Sequence, residues 1–134
     1  MNDLVEFLKK EYEPANTWSD ESIMEYLEWA AFHDFLFIAR NDDGSIIGAA
    51  LARPVSGFPE TLFEFDRNSK TVHVNFLVAS DKRAFLLLGF AVLQGFERAT
   101  FNRLKKGRTK PKSYPANLVR KTLFNFRNYG QRRQ

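Results

Sequence analysis

The sequence predicts one α/β domain in which a mixed β-sheet carries helices on both of its faces. Segments with alternating apolar residues, typical of strands, are interspersed with segments whose apolar residues recur every three or four positions, typical of helices. Turn-forming residues separate these segments. The chain of 134 residues has the length of a single domain, and its 44% hydrophobic content excludes a disordered chain.

Two amphipathic helices are predicted at the N-terminal end. The first is capped by Asp3, runs to about Tyr12 and stops at Pro14, because proline cannot continue a helix. The second is capped by Ser19 and has acidic residues in its first turn, where they suit the positive end of the helix dipole. Its expected apolar face consists of Ile23, Tyr26, Leu27, Ala30 and Ala31. Its glutamates, Glu21, Glu25 and Glu28, are expected to face solvent.

The middle of the chain predicts strands at 35–40, 45–53 and 71–79. A turn with Gly44 separates the first two strands, so they are expected to pair antiparallel. Gly48 and the neighbouring alanines give the second strand small side chains, so another element is expected to pack close to its backbone. A further short strand is expected at 62–66.

The last part predicts a helix at 81–97, a strand at 100–104 and a helix at 116–126. The 81–97 helix begins with Ser80 or Asp81 as its cap and is apolar nearly all round, which is typical of a buried central helix. The connection from the 71–79 strand through this helix is long enough for the 100–104 strand to pair parallel to it.

Residue content excludes several classes of site. The chain has no cysteine, which excludes disulfides, thiolate metal sites and cysteine nucleophiles, and its two histidines, His33 and His73, are far apart. Glycine-rich phosphate loops, nucleophilic serine motifs and calcium loops are missing from the sequence. No apolar run reaches the length of a membrane span, and the acidic N-terminus does not resemble a signal peptide. We therefore expect a cytoplasmic protein without a bound metal.

Charge is divided unevenly along the chain. Residues 1–97 hold 16 acidic and 8 basic residues, whereas residues 98–134 hold 12 basic residues and no acidic one. Such asymmetry predicts a polyanionic partner: nucleic acid, a phosphorylated cofactor such as coenzyme A, an acidic protein or an anionic membrane surface. The alternative is that the basic part is neutralised by the acidic helices of its own chain.

The predicted order of elements resembles the GNAT-like (N-acetyltransferase-like) fold. In that family two helices precede a hairpin, and a long central strand leads into a helix that binds the pyrophosphate of acyl-CoA through a Gln/Arg-x-x-Gly-x-Gly/Ala loop. Here the join reads Ser-Asp-Lys-Arg-Ala-Phe-Leu over 80–86, so Arg83 takes the basic position and Ala84 the first small one, in a degenerate loop. The resemblance implies an acyltransferase that acts on an amine, or an inactive relative.

The resemblance also implies site residues and acyl-CoA as the cofactor. Lys82, Arg83, Ala84 and Phe85 would hold the cofactor, and Tyr114 would protonate the leaving thiolate. His73 is a candidate base if its strand face looks into the cofactor cleft. Each has a structural alternative: the two cations solvate a helix end, the tyrosine anchors a loop and the histidine belongs to the core.

Lys82 and Arg83 also point to an anion on physical grounds alone. Exposed cations in the first turn of a helix oppose its dipole, at a cost of about 0.3–1 kcal/mol each. An anion bound to the free amides at that end would offset the cost.

The basic segment supports an alternative function, a non-catalytic binding module for nucleic acid or another acidic partner. Its bases interleave with Phe101 and Tyr114, which are able to stack on nucleobases. The sequence carries no RNA-recognition or helix-turn-helix signature, so such binding is expected to tolerate any base sequence. A small cysteine-free chain with this tail is also compatible with a viral origin. The candidate anion-binding residues are Arg103, Lys105, Lys106, Arg108, Lys110 and Lys112.

Overall fold

The computed structural model describes residues 1–56, 59, 61–101 and 113–132, and it describes their side chains except those of 126–132. The helices are α1 (Asn2–Glu11), α2 (Asp20–Phe32), α3 (Lys82–Leu93) and α4 (Ala116–Arg132), and a short 3₁₀ helix covers Glu13–Thr17. The strands are β1 (Leu36–Arg40), β2 (Ile46–Pro54), β3 (Thr71–Ala79), β4 (Arg98–Phe101) and β5 (Ser113–Pro115).

The strands form one five-stranded mixed sheet with the order β1-β2-β3-β4-β5, which confirms the predicted fold class. β1 pairs antiparallel with β2, as the short turn between them requires. β3 pairs parallel with β4 through the intervening α3, which confirms the predicted crossover. β5 was not predicted from the sequence, and it pairs antiparallel with β4.

The chain forms two compact units, of which the first consists of Met1–Leu51 and Leu77–Leu88. The buried faces of α1 and α2 supply much of its core, including Leu4, Leu8, Ile23 and Leu27. The Ser19 side chain accepts a hydrogen bond from the backbone N–H of Ser22 at 3.1 Å, which confirms the predicted cap. The predicted cap at Asp3 is wrong, because α1 begins at Asn2 with Met1 as its cap, two residues earlier than a cap at Asp3 implies.

The close approach predicted at Gly48 is confirmed within the first unit. A Cβ added to Gly48 would lie 2.7 Å from Cδ1 of Leu88 on α3 and 3.3 Å from the Cβ of Ala79. The absence of a side chain therefore lets the helix approach the strand.

The turn between α2 and β1 contains a backbone position that usually belongs to glycine. Asp34 has a φ of 64°, in the left-handed region. Its N–H donates to Ala31 O at 3.2 Å, and the N–H of Phe35 donates to Ala30 O at 2.8 Å, which closes the helix end in a Schellman-type arrangement.

The second unit consists of Ala52–Phe76 and Gly89–Gln134. Arg120 on α4 donates to the carbonyl oxygens of Leu93 at 2.6 Å and Phe96 at 3.4 Å, so it satisfies backbone groups at the end of α3. α4 also packs close to α3, since a Cβ added to Gly89 would lie 2.9 Å from Cδ1 of Leu123.

Four predicted elements differ in the structure, one of which is the last helix: α4 runs to Arg132 rather than to 126. α3 ends at Leu93 rather than near residue 97, because Gly95 adopts a φ of 85° and turns the chain out of the helix. It is not buried all round, since Leu87 is 63% exposed. The expected strand at 62–66 does not form, and β4 covers Arg98–Phe101, with 102–104 outside the described residues.

Candidate functional site

The N-terminal end of α3 carries the four residues predicted to hold a cofactor. Lys82, Arg83, Ala84 and Phe85 form its first turn. Ala84 is fully buried, while Arg83 is exposed and Phe85 is partly exposed. The structure thus brings the predicted residues to one helix end.

That helix end already has an acidic group bound to its backbone. The carboxylate of Asp81 accepts a hydrogen bond from the N–H of Ala84 at 2.7 Å, which makes Asp81 the N-cap of α3. Ser80 donates to the carbonyl oxygen of Ile47 from its backbone at 2.8 Å and from its hydroxyl at 3.2 Å. A phosphate at this position would meet a carboxylate instead of a free amide.

His73, the candidate base, is a buried residue of the second unit. It lies on β3 and is 2% exposed. Its Nδ1 is 2.6 Å from the hydroxyl of Thr100 on β4, which is itself 1% exposed. This hydrogen bond joins the two parallel strands through their side chains.

Tyr114, the candidate acid, lies on β5 beside an aromatic residue of β4. Its ring is tilted by 58° against the ring of Phe101, with the centroids 6.2 Å apart. Both side chains are half-buried. The two rings therefore form one partly exposed aromatic surface on the neighbouring strands β4 and β5.

The strand register separates Tyr114 from His73. Tyr114 is opposite Ala99, whereas His73 is opposite Thr100, the next residue along β4. Side chains opposite each other point to the same face of a sheet, and consecutive residues point to opposite faces. Tyr114 and His73 consequently project from opposite faces, and the structure does not bring the candidate acid and base together.

A buried arginine is the polar feature that sequence reasoning missed. Arg53 on β2 is 1% exposed and donates hydrogen bonds to Glu64 O at 2.6 Å, to Thr61 O at 2.7 Å and to the side-chain oxygen of Asn75. These contacts attach the segment after β2 to the sheet and account for the irregular backbone at 62–66. Its only signal in the sequence is a charged residue inside an otherwise apolar strand.

The six candidate anion-binding residues from Arg103 to Lys112 lie outside the described residues. The strands at both ends of their segment are described and paired, with Thr100 opposite Ser113. Arg98, the first base of the basic part, is exposed and donates to the hydroxyl of Ser113 at 2.8 Å and to its carbonyl at 3.2 Å. The segment with six bases and no acid therefore begins and ends at adjacent strands.

Within the described residues, no group of three or more metal-ligating side chains comes together, and no helix is long and apolar enough to cross a bilayer. Comparison with protein families, with curated proteins and with solved structures finds no match to this chain.

Proposed function

We propose that the protein is a non-catalytic binding module that holds single-stranded nucleic acid through the end of the β4–β5 strand pair. The observation that carries the proposal is the Phe101–Tyr114 pair, whose ring centroids are 6.2 Å apart on the two strands that flank the basic segment. Aromatic rings stack on nucleobases and nearby cations contact phosphates, and both are used in sequence-tolerant binding of single strands.

The charges of this part of the chain support the same function. Residues 98–134 contain 12 bases and no acid, and six of the bases are in the eleven residues between β4 and β5. Bases so concentrated repel one another, and this repulsion destabilises the folded chain unless an anionic partner compensates. A nucleic-acid backbone supplies repeated phosphates at close spacing.

The alternative, in which the acidic helices of the same chain neutralise the basic part, makes a different prediction. Replacing Lys105, Lys106 and Arg108 by alanine would then mainly lower thermal stability, and high salt would destabilise the unchanged protein.

The proposal is tested by the anisotropy of fluorescent single-stranded oligonucleotides at several salt concentrations. Replacing Lys105, Lys106 and Arg108 by alanine should weaken binding of all sequences alike and lower the slope of log K against log[salt] by about 2, at roughly 0.7 per lost phosphate contact. The matched control replaces Lys9, Lys10 and Lys70 by alanine and should leave the slope unchanged.

Stacking is tested separately with Tyr114→Ala and Tyr114→Phe. The alanine variant should lose about 1–3 kcal/mol of binding free energy per stacked base, and the phenylalanine variant should bind like the unchanged protein. Binding that does not respond to salt between about 50 and 200 mM, or that is equal in all variants, would contradict the proposal.

Acyl transfer in the GNAT-like manner remains a second proposal, favoured by the parallel β3–α3–β4 crossover with two cations in the first turn of the helix. Thermal-shift titration with coenzyme A, acetyl-CoA and longer acyl-CoAs tests it. Absence of stabilisation at millimolar ligand removes this proposal. Asp81→Ser keeps a capping side chain and removes the carboxylate, so it should strengthen coenzyme A binding if the pyrophosphate lies at this helix end.

A further inference from the structure

The solvent-facing side of α2 carries a large apolar side chain that is almost fully exposed. Phe32, the last residue of the helix, is 83% exposed, more than any other large apolar side chain in the described part of the chain. Glu21, Glu25 and Glu28 are exposed as well. At 100° per residue, the four positions fall within about 60° around the helix axis, opposite the buried residues.

The three glutamates have no neutralising partner in the described part of the chain. The ion pairs of the described residues involve other acids, Asp3 and Asp20. Glu21 and Glu25 are four positions apart, and Glu25 and Glu28 are three apart, so like charges lie side by side on the helix surface. This arrangement destabilises a helix, and a cationic partner on the same face would reverse the effect.

We propose that this face of α2 is a docking surface for the basic C-terminal part, residues 98–134, of a second copy of the protein. The charge of the chain selects this occupant, because its residues 98–134 supply 12 bases and no acid. Phe32 supplies an aromatic face at the end of the line of glutamates. Arginine and lysine bind such faces through cation–π contacts.

The two surfaces differ from each other, so the contact is heterologous. Each copy offers one acidic face and one basic part, and association continues until a ring closes or a chain of copies grows. The basic part would then be shared between a second copy and nucleic acid, and binding of nucleic acid would release the association. The docking surface itself does not depend on the nucleic-acid proposal.

Sedimentation velocity at low salt, over a range of protein concentrations and without nucleic acid, tests the inference. The unchanged protein should show a mass that rises with concentration and falls toward that of one chain as salt is added. Glu21→Gln, Glu25→Gln and Glu28→Gln together should weaken association at least tenfold, as should Phe32→Ala. The matched control, Glu6→Gln, Glu11→Gln and Glu13→Gln, changes the net charge equally and should associate normally.

Mixing two variants tests the heterologous geometry. The α2 triple variant keeps its basic part, and the Lys105→Ala, Lys106→Ala, Arg108→Ala variant keeps its α2 face. Each alone should remain monomeric, while the mixture should form a dimer and stop, because only one working contact can form. Circular dichroism verifies that each variant is folded.

Four results would overturn the inference. The first is a mass of one chain at all concentrations in low salt. The second is equal association of the α2 variant and its matched control. The third is a mixture that stays monomeric or grows beyond dimers. Self-association that appears only after nucleic acid is added would also overturn it while leaving the proposed function intact.

Discussion

Replacing the buried Arg53 by methionine should destabilise the fold strongly. The guanidinium donates to Glu64 O, Thr61 O and the side chain of Asn75, and methionine can donate to none of them. Asn75 is 6% exposed, so its side-chain oxygen would lose a donor in a place that water does not easily reach. The two backbone acceptors belong to exposed residues and regain part of their bonding from water.

The magnitude follows from these three bonds. A hydrogen bond to a charged group contributes about 1.5–3 kcal/mol, and a buried acceptor left without a donor costs about 1–3 kcal/mol. The Arg53→Met change also removes the free-energy cost of burying the guanidinium charge, and this offsets part of the lost stability. We therefore expect the free energy of unfolding to fall by about 3 kcal/mol, which at a urea dependence of about 1.5 kcal/mol per molar lowers the midpoint by about 2 M.

Urea unfolding followed by circular dichroism measures this loss. Arg40→Met is the matched control, because Arg40 also bonds a carbonyl oxygen, Gly44 O at 2.8 Å, but lies exposed and contacts Asp3 in water. The Arg40→Met variant should lose less than about 1 kcal/mol of the free energy of unfolding. If Arg53→Met lowers the midpoint no more than Arg40→Met does, the argument from burial is refuted.

Three smaller effects are expected elsewhere. Asp34→Gly removes the side chain at a φ of 64° and should raise the thermal midpoint by a few degrees, for a gain of about 0.5–1 kcal/mol; a lower midpoint would contradict this. Gly48→Ala places a Cβ 2.7 Å from Leu88 Cδ1 and should cost about 1–2 kcal/mol, less when combined with Leu88→Val; additive losses would exclude a direct clash. The hydrogen bond from Arg40 lowers the pKa of Asp3 below its ordinary 3.8. The ionised Asp3 carboxylate therefore stabilises the fold above pH 3.8, and this stabilisation is lost as the pH falls through the pKa of Asp3 in the folded protein. Unfolding midpoints measured from pH 6 to 2 should therefore fall less for Asp3→Asn than for the unchanged protein.

Local signals explain why most of the fold could be predicted. Gly44 has a φ of 87° in the turn between β1 and β2, where the sequence predicted a tight connection. The predicted bounds 71–79 match those of β3 at both ends, although residues 72–76 are all buried and the strand does not alternate between buried and exposed positions. Gly95 carried the signal for the true end of α3, but Phe96, which follows it, extended the apolar pattern and favoured a longer helix.

Contacts between distant residues explain what could not be predicted. The segment 62–66 alternates like a strand, yet Arg53 binds the carbonyls of Thr61 and Glu64 from 8 and 11 residues away. The opposite orientation of His73 and Tyr114 depends on strand register, which neither local sequence contains. The position of Lys82 and Arg83 in a first helical turn followed from local pattern and agrees with the structure, whereas the bond from Ala84 to Asp81 needed atomic distances.

The side-chain bond between His73 and Thr100 has a consequence for the order of folding. It joins residues 27 positions apart, across the whole of α3. The β1–β2 hairpin closes over a short turn, and such hairpins form in about 1–10 μs. The parallel strands β3 and β4 pair more slowly, because the chain between them must first close a long loop. The conformational entropy of that closure is lost before the strands gain any contact. We expect the four-residue β4 to be ordered only after α3 has packed. A destabilising change at Thr100 should then accelerate unfolding and leave the refolding rate nearly unchanged.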